Sequence, residues 1–76
     1  MEFMNGLPLN PPPRVIPLSS GGLQLEWHRK EIDLEVVFDR REEPFFHYRN
    51  RLTGDESERA LLEDDRLLAS IIGSLE

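Results

Sequence analysis

The feature that most constrains this chain is an alternation of apolar and polar residues that begins at Leu23 and continues, with one interruption, to Asp39. Leu23, Leu25 and Trp27 alternate with Gln24, Glu26 and His28, and Ile32, Leu34, Val36 and Phe38 alternate with Asp33, Glu35, Val37 and Asp39. A period of two belongs to strands with one buried and one solvated face, so two neighbouring strands are expected here. Joined as a hairpin with Trp27 facing Ile32, Leu25 faces Leu34 and Leu23 faces Val36, and each apolar residue gains an apolar partner. The connection at Arg29-Lys30 lacks the Asn-Gly or Gly of a tight primed turn, so a four-residue connection fits equally well.

The same face continues downstream. Asp39 to Glu43 reads as a charged turn ending at Pro44, and Phe45 to Arg49 as a third strand. Placing Phe46 opposite Phe38 and Tyr48 opposite Val36 sets Glu35 against Arg49, a favourable pair on the polar side. A turn centred on Gly54 follows. In Ser57 to Leu62, the residues Glu58, Ala60 and Leu62 suit a fourth strand, although Ala, Leu, Glu and Arg also favour helix. Strand is preferred, because one long helix from Asp55 would bury Asp65 on the apolar stripe. The last segment, Arg66 to Leu75, has Asp64 or Asp65 as N-cap and the helical stripe Leu67, Leu68, Ile71, Ile72 and Leu75. The expected architecture is α+β: a four-stranded antiparallel meander packed on one C-terminal helix.

Before this domain, which spans residues 19–76, lies an arm. Residues 5–18 hold Pro8, Pro11, Pro12, Pro13 and Pro17, and so cannot form a helix or a central strand. An extended, polyproline-like arm over residues 1–18 is expected, with a Pro-x-x-Pro match from Pro8 to Pro11. Met1-Glu2-Phe3 reads as a cloning remnant, Glu-Phe being what an in-frame EcoRI site encodes, and Met4 as the natural start. The turn cluster Ser19-Ser20-Gly21-Gly22 separates the arm from the first alternating stretch.

Composition narrows the functional classes. With 76 residues and a net charge of -6, the chain is one small acidic domain. Its basic residues are outnumbered and interleaved with carboxylates, which disfavours direct binding to nucleic acid or anionic membranes and leaves contact with a basic protein surface open. No cysteine is present, which excludes disulfides, thiolate metal sites and cysteine nucleophiles and fits a reducing cytoplasm. The uncharged run between Val15 and Glu26 is broken by Pro17, Ser19, Ser20, Gly21 and Gly22, so no membrane span is expected.

The polar side of the sheet carries the only grouping with chemical potential: Gln24, Glu26, His28, Asp33, Glu35, His47 and Arg49. Carboxylates with imidazoles are the raw material of metal sites and of acid–base catalysis. In the register above, however, the two histidines do not converge, and an open sheet face offers no desolvated cleft. A solvated charged face is the better reading, and no catalytic, metal or cofactor-binding residue is assigned.

The block Gly21-Gly22-Leu23-Gln24-Leu25-Glu26-Trp27-His28, with Ile32-Asp33-Leu34-Glu35-Val36 after it, resembles a group of small uncharacterised bacterial proteins. These share a Gly-Gly-x-Gln-x-Glu-Trp-His strand, an Ile-Asp-Leu-Glu strand and an acidic tail. The likeness covers roughly Pro17 to Leu62. Lys30-Glu31 departs from the group, which has a glycine at that turn. The resemblance implies an antitoxin-like or other operon-encoded partner protein. The expected function is therefore a non-enzymatic interaction module of antitoxin or immunity type. Its expected contacts with a partner protein are Val15, Ile16, Leu18, Trp27, Leu68, Ile71, Ile72 and Leu75. Two alternatives are a metal- or ligand-binding domain using Glu26, His28 and His47, and a structural homodimer.

Overall fold

A computed structural model describes residues 11–75; the Pro8-to-Pro11 match, the remnant at Met1-Glu2-Phe3 and the start at Met4 lie outside or at the limit of that range. One antiparallel sheet is formed by β1 (Arg14–Pro17), β2 (Leu23–Arg29), β3 (Ile32–Phe38), β4 (Phe45–Asn50) and β5 (Glu56–Ala60), in sequence order, followed by a helix α1 (Asp65–Ser74). The α+β meander is as expected, but with five strands instead of four. The additional strand comes from the proline-rich arm: Arg14 to Pro17 pairs along β2, with Arg14 opposite Glu26 and Pro17 opposite Leu23. Proline is tolerated there because β1 is an edge, where one side of the backbone needs no ladder partner. Trp27 fastens the arm further by donating from Nε1 to the Pro11 carbonyl at 2.7 Å.

The faces follow the alternation, while the register is corrected twice. Trp27 pairs with Leu34, Leu25 with Val36 and Leu23 with Phe38, two positions from the expected pairing. The cause is the connection, a two-residue turn of Lys30 and Glu31 with φ of 51° and 65°. Two consecutive left-handed residues make a primed turn, whose twist matches that of the flanking strands even without glycine. The β3–β4 pairing shifts likewise, placing Val36 opposite Phe46 and Leu34 opposite Tyr48. Asp33, not Glu35, therefore faces Arg49, and Glu35 faces His47. An even shift keeps every side chain on its face, so the hydrophobic pattern alone does not distinguish the two registers.

The β1–β2 connection shows why two glycines stand before the first long strand. Leu18 and Gly22 pair through Leu18 N–H to Gly22 O at 2.9 Å, and Gly21, at φ 97°, closes the three-residue loop between them. Gly22 lies so close to β3 that an added Cβ would run into the Phe38 carbonyl.

The core lies between the sheet and α1. Leu25, Trp27, Leu34, Val36, Phe46, Leu61, Leu68, Ile72 and Leu75 form it, each at most 2% exposed. In β5 the parity differs from expectation. Arg59 lies opposite Phe46 and Ser57 opposite Tyr48, so Glu58 and Ala60 are on the outer face; Leu61 is buried and Leu62 exposed. Along α1, Leu68 and Ile72 are buried and Ile71 is half-buried, while Leu67 is exposed at the edge of the stripe; Leu75, at the C-cap, is buried as well. Asp64 occupies the N-cap position, but its side chain makes no capping hydrogen bond. No helix among the described residues is long and apolar enough to cross a membrane.

Candidate functional site

Among the described residues, one ten-residue helix covers one face of the sheet. The other face is built by the alternate residues of the same strands, and the register arranges them in rows. One row is mainly apolar: Ile16, Gln24, Val37, Phe45 and Ala60, from β1 to β5, all half-buried. Beside it run Arg14, Glu26, Glu35, His47 and Glu58, and then His28, Asp33, Arg49 and Glu56. The result is an apolar band lying against a band rich in carboxylates.

The polar band is held by specific contacts. Glu26 and Glu35 stand directly opposite each other, an arrangement that like charges disfavour. Gln24 offsets the repulsion: its Nε2 donates to Glu26 Oε2 at 2.8 Å and to Glu35 Oε2 at 2.9 Å. His28 places Nδ1 2.7 Å from Asp33 Oδ1 and Nε2 3.1 Å from Glu26 Oε1. Asp33 also meets Arg51, whose Nε is 3.3 Å from Oδ2. His47 has Nε2 2.7 Å from Glu56 Oε1 and Nδ1 3.9 Å from Glu35 Oε1.

These contacts shift ionisation in consistent directions. The hydrogen bond with Asp33, then that with Glu26, raises the pKa of His28 above its ordinary value. In return, His28 lowers Asp33, with help from Arg51, and lowers Glu26, with help from Gln24. Elsewhere, in the β3–β4 turn, the Arg41 amide followed by its guanidinium lowers Asp39. The two histidines thus occupy separate carboxylate clusters. Among the described residues, no group of three or more His, Asp and Glu side chains is placed to hold a metal ion.

Two clefts, each of about 340 Å³, open at the end of the sheet near the β3–β4 turn. One, on the helix side, has Leu23, Phe38 and Pro44 as an apolar lining and Arg40 beside them. The second reaches the outer face, where Phe45 and Ala60 are flanked by Glu42, Glu43 and Glu58. It continues the juxtaposition of apolar and acidic bands.

The residues expected to contact a partner are distributed over both sides of the sheet. Trp27, Leu68, Ile72 and Leu75 belong to the chain's own core, and Ile71 packs against it. Val15 is 58% exposed on the helix-side edge. Ile16 belongs to the outer apolar row, and Leu18 is half-buried beyond the end of β1. Val37, Phe45 and Ala60 were absent from that expectation. Val37 and Phe45 were detectable, because each is apolar at a position where alternation predicts a polar residue.

Fold and face together define a small sheet-and-helix domain in which, among the described residues, one side of the sheet is covered and the other is open. Compared with family models, curated proteins and solved structures, the chain matches none.

Proposed function

We propose that this chain is a non-enzymatic interaction module, of antitoxin or immunity type, that binds a basic partner protein through the open face of its sheet. The observation that carries this reading is the apolar row Ile16, Val37, Phe45 and Ala60 lying against the carboxylates of Glu26, Glu35 and Glu58. An amphipathic basic segment complements both bands at once. The apolar row contributes burial, while the carboxylates steer the encounter and fix its orientation. The net charge of -6 adds a long-range attraction that salt weakens. The antitoxin or immunity class draws on the resemblance of the block from Gly21 to Glu35, and a cysteine-free chain suits the reducing cytoplasm in which such a partner would be met.

The test uses the tagged full chain and a double charge reversal, Glu35→Lys with Glu58→Lys, in the source cell. The wild type should retrieve a basic protein in stoichiometric amount, more weakly as salt is raised, and the reversed chain should lose it. A wild-type chain that stays monomeric and retrieves nothing, or a reversed chain that retrieves the same protein equally well, refutes the reading.

A further inference from the structure

Two features of the β2–β3 hairpin meet at its tip. Lys30 and Glu31 are both in the left-handed region, which favours glycine and is uncommon for long side chains. The strands on either side of this turn close at Arg29 and Ile32, and the next pair inward is His28 and Asp33. The His28 ring lies between two carboxylates, Asp33 across the hairpin and Glu26 along its own strand, with one ring nitrogen at hydrogen-bond distance from each. A carboxylate only accepts, so both contacts are hydrogen bonds only when the ring carries both protons. The neutral ring has one N–H, and its bare nitrogen then faces a carboxylate lone pair.

We propose that His28 is a pH-operated fastener of this hairpin tip: as imidazolium it ties Asp33 on β3 to Glu26 on β2, and on losing a proton it releases one of them and lets the left-handed turn fray. The inference is independent of the binding reading, since it concerns the chain alone.

The groups around the ring fit this role. From β2 and β3, Glu26, Asp33 and Glu35 share the polar side; from β4, Arg49 lies opposite Asp33. From β1, Arg14 lies opposite Glu26. From the β4–β5 turn, Arg51 contacts Asp33 through Nε, and its amide donates to the Glu31 carbonyl at 2.8 Å. Asp33 thus joins His28 to Arg51, and Arg51 reaches the strained turn through its own amide. The direction of the pH effect follows from linkage. Because the folded-state pKa of His28 is raised, its contribution is complete below the ordinary histidine value and is lost as pH rises through the raised one. Asp33 and Glu26 are lowered, so their contribution is present above the ordinary carboxylate range and is lost as pH falls through their lowered values. The fastener therefore operates from mildly acidic pH up to the titration of His28.

Amide hydrogen exchange on the full chain, read by NMR at about pH 5.5 and about pH 8.5, tests this. After correction for intrinsic exchange rates, protection of the Ile32 and Arg51 amides should fall about threefold to tenfold at the higher pH, relative to the central Leu34 and Val36 amides. The midpoint should coincide with that of the His28 ring protons. In His28→Gln the pH dependence should vanish, whereas His47→Gln should retain it. Flat protection through the His28 titration, or an unchanged pH dependence in His28→Gln, overturns the proposal.

Discussion

The two faces of the sheet are made by alternate residues of the same strands, yet they are organised on opposite principles. On the helix side, Leu34, Val36 and Phe46 are fully buried, and α1 with Leu61 closes over them. On the other side, polar residues satisfy one another laterally, Gln24 with two glutamates and His28 with two carboxylates, and nothing among the described residues covers them. Burial contributes roughly 1.5–3 kcal/mol for each large apolar side chain, whereas exposed ion pairs contribute between about 0 and 1 kcal/mol. The fold is therefore held almost entirely from one side. The other side contributes little to stability.

The strongest way to break this comparison is to remove mass from the covered side. Phe46→Ala empties a position at the centre of the core and should cost about 3–5 kcal/mol. A chain of 76 residues has a total stability of about 4–11 kcal/mol, so chemical denaturation should find this variant at the edge of unfolding at 37 °C. A full-strength cooperative transition in Phe46→Ala would mean that the core lies elsewhere. Trp27→Phe comes next. It keeps most of the buried ring but removes the donor to the Pro11 carbonyl, leaving a buried acceptor unpaired, at a cost of about 1–3 kcal/mol. If the arm contributed nothing, the change would be limited to the small loss of packing area.

The two faces also differ in how well the sequence reveals them. Side-chain alternation identified the buried residues of β2, β3 and β4, because a period of two fixes the face of each residue without reference to its partner. It did not fix the pairing, because a shift of two positions leaves all faces unchanged and only the turn decides. Lys30-Glu31 carries no glycine or asparagine to signal a primed turn between β2 and β3, and the longer connection over residues 39–44 does not fix the β3–β4 pairing either, so each register came out two positions away from the observed one. The candidate site suffered most from that shift. The observed pairing is what puts His28 on Asp33, Glu35 opposite His47, and Val37 beside Phe45. The fifth strand was hidden for another reason: proline lowers strand propensity everywhere except at an edge, and whether a segment forms an edge is a tertiary property. In β5, the sequence Glu-Ser-Glu-Arg-Ala has no apolar alternation to set its parity, and grouping Glu58 and Ala60 with Leu62 left Leu61, the buried residue, unmarked.

At the hairpin tip neither face supplies burial, which makes it the place to sharpen the comparison from its boundary. Glu31 is exposed and adopts φ 65°, while the backbone carbonyl that accepts from Arg51 is independent of its side chain. Glu31→Gly relieves left-handed strain of about 1–2 kcal/mol and loses part of that gain to the greater freedom of glycine in the unfolded chain. A net stabilisation of about 0.5–1 kcal/mol should appear as a higher denaturation midpoint with an unchanged slope. A destabilised Glu31→Gly would mean that the turn is not held in the left-handed region.

The smallest expected effect on stability is the most informative about the open face. Glu35→Lys with Glu58→Lys changes charge at two of its positions, of which Glu58 is exposed and Glu35 is half-buried with a hydrogen bond from Gln24. Reversal at Glu35 exchanges that bond and the weak approach of His47 for an attraction to Glu26 directly opposite, so gains and losses nearly offset. A charge change at an exposed position such as Glu58 stays within about 0.5 kcal/mol, and with the offset at Glu35 the double variant should remain several-fold below the cost of Phe46→Ala on the other side of the same strands. A thermal midpoint within a few degrees of the wild type, combined with loss of the basic partner, would separate the face that folds the chain from the face that binds. A large drop in the midpoint would show instead that the carboxylate band is structural, and the loss of binding would then carry no information about where the partner sits.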